Sequence, residues 1–426
     1  MGHPSTPTAA PAPPSGSGRW LVMLSLTMAA GSIYLLPYLR QAYHQPLLAA
    51  LHVTNTELGI LNSAFGVFAL VCYLPGGWVA DRVAPRLLLS GSLVATGLLG
   101  YAFATFPPYP IAFAIHALWG VSTILTFWAA LIKATRHWGG EHHQGTAFGL
   151  LDGGSGIVSA LLGAVALAAF AALGTPIAGL RAVVVAGATA TLVAGALVWL
   201  FLPADAMTTE GTTEPSRGHV KRALALPAVW LQAVIILAAY AGYWGTFDLA
   251  AFAVDGFGTT MVFGASLSTA RLWLRPVGAL AAGWIADRAS ASGTVVGCFA
   301  LLGSTFVVLA ATPTAPDLIW LLWVDTIVAA TAVFGLRGIY YAVMEENHVP
   351  ASVTGTAVGI VSIIGYTPDI VMPLVTGWLL DTYPGAAGHQ LLYGGLALLA
   401  AVGLVAALAM RWTRPARSRG TAPALE

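Results

Sequence analysis

Among the charged side chains inside otherwise apolar stretches are Arg40, Asp152, Asp248, Arg271, Arg275 and Arg337. A charge within a lipid-spanning helix costs at least ~2.5 to 3.5 kcal/mol on insertion scales, so it pairs, faces a polar cavity or binds something. Guanidinium groups grip carboxylates and phosphates through a planar fork, and unpaired arginines in a low-dielectric setting attract anions. Arg271 and Arg275 stand at i and i+4, on one helical face with Gly264, Ser268 and Gly278. That small, polar stripe is expected to line an aqueous cavity, with Arg337 at a similar depth in a later apolar run. The three arginines form a candidate anion site centred on Arg271; the competing reading is salt bridges between helices. Tyr240, Tyr243, Trp244 and Phe247 recur at i, i+3, i+4 and i+7 and, with Trp273, Tyr340 and Tyr341, offer cavity walls and tyrosine hydroxyls, against a plain packing role.

Other chemistries find little support in the sequence. Cys72 and Cys298 lie in apolar runs without metal-ligand spacing, and His142 and His143 are adjacent with no further ligands nearby. His116 reads as a core histidine. No GxxxxGK[ST] stretch points to a nucleotide, and no nucleophile with its base points to catalysis, so neither an enzyme nor a cofactor is expected.

The elements that must position these residues follow from composition. Of 426 residues, 58% are hydrophobic and 8% charged, far below the roughly 25% charged residues of soluble domains. A net charge of +1 gives no field for nucleic acid. Runs of about 20 apolar residues predict twelve transmembrane helices, over 20–43, 57–79, 86–106, 111–134, 146–172 and 181–203, then 227–253, 260–284, 293–312, 318–343, 353–380 and 390–411. The expected organisation is a disordered cytoplasmic tail 1–18, a six-helix bundle 19–203, a cytoplasmic linker 204–226 read as a loop, a second bundle 227–412 and a cytoplasmic tail 413–426. Gly242 and Gly245 are expected to interrupt span seven, and broken helices at mid-membrane mark transporter sites. Most Lys and Arg residues fall on the side of the termini, Arg181 being the exception, which predicts a multi-pass cell-membrane protein with both termini cytoplasmic.

PGGWVADR at 75–82 returns as AAGWIADR at 281–288, nearly half the chain later, at the end of the second helix of each predicted bundle. Such a repeat implies two pseudo-symmetric halves about an axis along the membrane normal. GGWVADRVAPR resembles the loop signature between helices two and three of the major facilitator superfamily, through Gly77, Asp81, Arg82 and Arg86. Ala84 and Pro85 depart from it, and the second copy keeps only Gly283, Asp287 and Arg288. LPYLRQAY, RGIYYAV and GYTPDIVMP are similar to a bacterial branch of that family.

The resemblance implies a monomeric secondary transporter working by alternating access, in which the loop acid, here Asp81, helps lock one state. Organic-anion carriers of the oxalate/formate and monocarboxylate groups carry an essential arginine in helix eight, and Arg271 looks like its counterpart. The expected function is transport of a small organic anion, a carboxylate, by proton symport or anion exchange. Alternatives are export of lipophilic cations and carriage of a nitrate-like anion. In the family, helices one and seven meet at the outer entrance and five and eight at the inner one. Arg40 with Asp248, and Asp152 with Arg275, are therefore expected to close the two ends alternately, with Asp152 the first choice as proton carrier.

Overall fold

The computed structural model describes residues 17–140, 143–203, 217–343 and 351–412, which are helical with no strand among the described residues. The predicted tails and the first part of the linker lie outside them. Twelve rods cross from end to end. The first half contains span one (Ser17–Ser32 and Arg40–Leu51), two (Asn55–Arg82), three (Pro85–Phe103), four (Tyr109–Gly139), five (Gln144–Ala172) and six (Pro176–Phe201). The second half contains span seven (Pro227–Gly245 and Leu249–Asp255), eight (Met261–Arg288), nine (Ala291–Ala311), ten (Ile319–Ile339), eleven (Ala351–Gly365 and Pro368–Thr382) and twelve (Ala386–Trp412). Ten helices are long and apolar enough by composition to cross a membrane. Span one misses that criterion because it is split, and span eight because it carries Arg271, Arg275, Asp287 and Arg288.

Local sequence explains the starts and the breaks. Thr54 and Glu57 form a reciprocal capping box at the head of span two, and the hydroxyls of Thr175, Thr260 and Ser290 cap spans six, eight and nine. Span eleven is interrupted before Pro368, which supplies no N–H to continue the helical hydrogen bonds. Span seven turns at 246–248, directly after Gly245, and span four passes through a π-turn at Ile124–Trp128. Span one also reaches further than its hydropathy predicted, to Leu51, because Arg40 and His44 are buried and bonded while Gln41 and Gln45 accept from and donate to the other half.

Spans three and six pack together in one half and nine and twelve in the other, while two meets eleven, five meets eight, and one meets both seven and eight across the middle. The cross-half contacts run from the end opposite the described termini, here called the far end, to mid-height. Asp381 accepts from the Asn55 backbone N (3.1 Å) and side-chain Nδ2 (2.9 Å) and from the Thr56 backbone N (2.7 Å). Lower down, a Cβ on Gly59 would lie 2.4 Å from the Pro373 carbonyl and one on Gly66 2.6 Å from the Asp369 carbonyl, so these glycines let backbones touch. Toward the terminal end, Ala129–Gly139 packs within its own half. The predicted linker is not wholly a loop: Arg217–Leu224 is a helix that packs on the start of span eleven, with Ala223 fully buried.

Candidate functional site

Arg271 lies on the interface between the halves and is fully buried, which corrects the expectation that it faces an open aqueous cavity. Its Nη1 donates to Thr246 Oγ1 (3.3 Å), in the broken turn of span seven, and its Nη2 to Gln41 Oε1 of span one. Its Nε has no hydrogen-bond partner, and among the described residues no carboxylate pairs with it. Aromatic rings surround the guanidinium: its carbon lies 4.7 Å from the Phe247 centroid, 5.5 Å from Tyr243 and 5.8 Å from Phe334. Such rings stabilise a cation through their quadrupoles without neutralising it.

Tyr243 joins Arg271 to Arg337, whose guanidinium carbon lies 4.1 Å from the same ring and 5.7 Å from that of Tyr240. Arg337 likewise lacks an ion-pair partner among the described residues. Tyr240 and Trp244, both within two turns of the break in span seven, point at a residue that sequence reading passed over. The Tyr240 hydroxyl donates to Asp369 Oδ2 (3.2 Å) and Trp244 Nε1 to Asp369 Oδ1 (2.8 Å). Asp369 opens the second segment of span eleven, within the GYTPDIVMP stretch. Tyr366, just before it, meets the Tyr340 hydroxyl (3.3 Å) and the Tyr341 hydroxyl (3.4 Å) and stacks on Tyr73 of the opposite half. Two arginines, one carboxylate and a ring of tyrosines therefore converge where spans one, two, seven, eight, ten and eleven meet.

The structure separates other predicted members from this group. Trp273 is 44% exposed on the outer surface of span eight and does not line the site. The physical reason is helical rotation, since residues at i and i+2 point to different sides and Arg271 faces inward. Arg275 pairs with Asp152 across spans five and eight, where the side chains remain 29% and 58% exposed. The Asp152–Arg275 pair expected at the inner entrance is thus present in the state described, whereas the expected Arg40–Asp248 pair is not made directly.

Arg40 and Asp248 are both buried and within electrostatic reach, but each is bonded elsewhere. Arg40 Nε donates to His44 Nδ1 (3.2 Å), and His44 Nε2 meets Asn55 Oδ1 (2.7 Å). Asp248 Oδ2 lies 2.6 Å from Nδ1 of the fully buried His389, whose Nε2 lies 3.3 Å from Asp255 Oδ2. Gln45 Nε2 donates to the same Asp255 oxygen (2.7 Å), carrying the network from span twelve across to span one. His389 was missed because a single histidine early in an apolar span gives no periodic signal. His116 is a core histidine, its Nδ1 2.8 Å from the Ala112 carbonyl and its ring edge-on to Trp119.

The repeated loop is repeated in three dimensions. Arg82 lies over the Trp78 ring (4.1 Å) with Nη1 on the Trp78 carbonyl (3.0 Å), and Arg288 lies over Trp284 (3.9 Å) with Nη1 on the Trp284 carbonyl (3.4 Å). Gly77 and Gly283 have open space around them, Asp81 is half-buried, and Asp287 is exposed. Arg86 lies over Trp199, binding the loop to span six.

Known proteins share this fold. The sequence profile described as Major Facilitator Superfamily matches residues 18–368. Inner membrane protein YqcE of Escherichia coli K12 is 25% identical over 96% of this chain and 97% of its own. Inner membrane protein YihN of the same organism is 28% identical over 91% and 94%. Among solved structures, a bacterial homologue of the human lysosomal transporter Spinster, in an inward-facing and occupied conformation, superposes with a TM-score of 0.75 at 14% identity, covering 94% of this chain and 98% of that one.

Proposed function

We propose, from the premise that this chain belongs to the Major Facilitator Superfamily, that the solute it moves is a small organic anion, a carboxylate held between Arg271 and Arg337. Membership makes the protein a multi-pass membrane transporter of a small molecule, not an enzyme. One observation carries the choice of an anion: Arg271 is a fully buried guanidinium with no carboxylate partner among the described residues and an unbonded Nε. A buried charge without a counter-ion is costly to keep. Rings offset part of that cost, and an anion bridging Arg271 and Arg337 around Tyr243 would offset more, through charge-assisted hydrogen bonds.

Transport is by alternating access, with the far-end contacts as the outer closure and the termini in the cytoplasm. Asp81, Arg82, Arg86 and their counterparts Asp287 and Arg288 serve the rocking of the halves rather than solute contact. The protein acts as a monomer in the inner membrane and exchanges its solute with a proton or a counter-anion.

Thermal unfolding of the purified protein against lactate, gluconate, nitrate and amphiphilic cations tests the reading, since a ligand that binds only the folded state raises the melting temperature. Stabilisation by lactate or gluconate is the expected result. Stabilisation by cations alone would replace the reading with that of a lipophilic-cation exporter, and by nitrate alone with that of an inorganic-anion carrier.

A further inference from the structure

We infer that Asp369 is the proton-binding group of this transporter, and that it takes up one proton when an anion seats between Arg271 and Arg337. The inference rests on the anion-site reading above and adds the coupling ion and the atom that holds it.

Asp369 shares the site with the two arginines but is not spent on either of them, because no ion pair joins it to Arg337 or Arg271 among the described residues. Its two oxygens instead accept from Tyr240 and Trp244, and it stands in the first turn of Pro368–Thr382, where the helix dipole favours negative charge. When the carboxylate is ionised, the form these donors favour and burial opposes, the site carries two positive charges and one negative. An entering carboxylate meets Asp369 as a like charge one tyrosine ring away from Arg337. Neutralising Asp369 removes that repulsion, which tightens anion binding by on the order of tenfold or more at the low effective dielectric of such a site. Linkage makes the effect reciprocal, so a bound anion raises the proton affinity of Asp369 by the same factor.

The oxygens are not equivalent acceptors of that proton. Trp244 can only donate, whereas a tyrosine hydroxyl both donates and accepts. The proton from water therefore adds to Oδ2, with the Tyr240 hydroxyl turning from donor to acceptor, and Oδ1 keeps its bond to Trp244. The other groups within reach of Asp369 are the hydroxyls of Tyr34 and Tyr38 on span one and Tyr73 on span two, with Arg337 on span ten. None of them changes charge between pH 5.5 and 8.5 in the ordinary course, so Asp369, once a bound anion raises its proton affinity, is the member of the site that titrates there. Asp152, the sequence-based choice, is half exposed and already paired with Arg275.

The test uses the full-length protein in detergent with lactate and gluconate as probes. Affinities come from the ligand dependence of the melting temperature at pH 5.5, 7.0 and 8.5, and proton uptake from a pH indicator in weak buffer. The wild type should lose on the order of tenfold in affinity as pH rises and, by linkage at that coupling, should absorb up to about half a proton per anion bound near the midpoint of the profile. Asp369→Asn should bind tightly at every pH and absorb none. Trp244→Phe, which removes a donor to the ionised form, should move the midpoint of the pH profile upward, and it serves if Asp369→Asn fails to fold. A wild-type pH profile in Asp369→Asn, or anion binding without proton uptake, would overturn the inference while leaving the anion site standing. Failure of either anion to bind at any pH would overturn both.

Discussion

The two six-helix bundles share a fold and a loop but divide the chemistry unequally. Arg82 on Trp78 and Arg288 on Trp284 are near copies, made by the same residues at the same point of each half. Every charged member of the central site, Arg271, Arg337 and Asp369, belongs to the second half, as do Tyr240, Tyr243 and Trp244. The first half supplies Gln41 to Arg271 and the rings of Tyr38 and Phe65, with Tyr38 edge-on to Trp244 (5.9 Å). On the proposed reading, symmetry serves the motion and asymmetry serves recognition, one half holding the solute while the other moves over it.

Removing His389 should disturb this arrangement most. Its fully buried ring stands between Asp248 and Asp255, and His389→Ala leaves a buried carboxylate in the second half without its partner. Destabilisation of about 3–5 kcal/mol is expected, read as a fall in melting temperature. A loss below about 1 kcal/mol would place that network among surface ion pairs and remove its role in holding the far end.

Next in size is the seam between the halves. Gly66→Val places a side chain where a Cβ already comes within 2.6 Å of the Asp369 carbonyl, so spans two and eleven must part, at about 1–3 kcal/mol for overpacking. The loss should appear as a lower melting temperature for Gly66→Val than for Gly77→Val, a glycine with open space around it. Equal melting temperatures would mean that the seam flexes around the added methyls.

The smallest effect sharpens the likeness instead. Arg82→Ala and Arg288→Ala each remove one exposed stacking contact and should lower stability by about 0.5–1 kcal/mol, and by equal amounts. Unequal losses in chemical denaturation would show that only one copy of the loop is structural.

Much of this was legible in the sequence, for reasons that also mark where legibility ended. Length and hydropathy fixed the rods, and the PGGWVADR and AAGWIADR repeat fixed the pairing of the halves, because both are properties of contiguous residues. Gly245 announced the break in span seven for the same reason. Which way a rod faces is a relation between distant segments, and there the reading faltered. Trp273 was grouped with Arg271 although two residues along a helix points elsewhere, and Asp369 was passed over inside a stretch quoted for another purpose. His389 and Gln41 matter through partners in spans far along the chain, Asp248 for one and Arg271 for the other, which no local pattern announces.

The central claim is that Arg271 binds the solute through its planar fork and not through charge alone. Calorimetric titration of lactate into wild-type and Arg271→Lys protein of matched melting temperature tests it most directly. Lysine keeps the charge but cannot reproduce the two-pronged geometry, so binding should weaken by at least about tenfold, the equivalent of one charge-assisted hydrogen bond. Affinity within twofold of wild type in Arg271→Lys would contradict the account and return Arg271 to the role of a structural cation packed among aromatic rings.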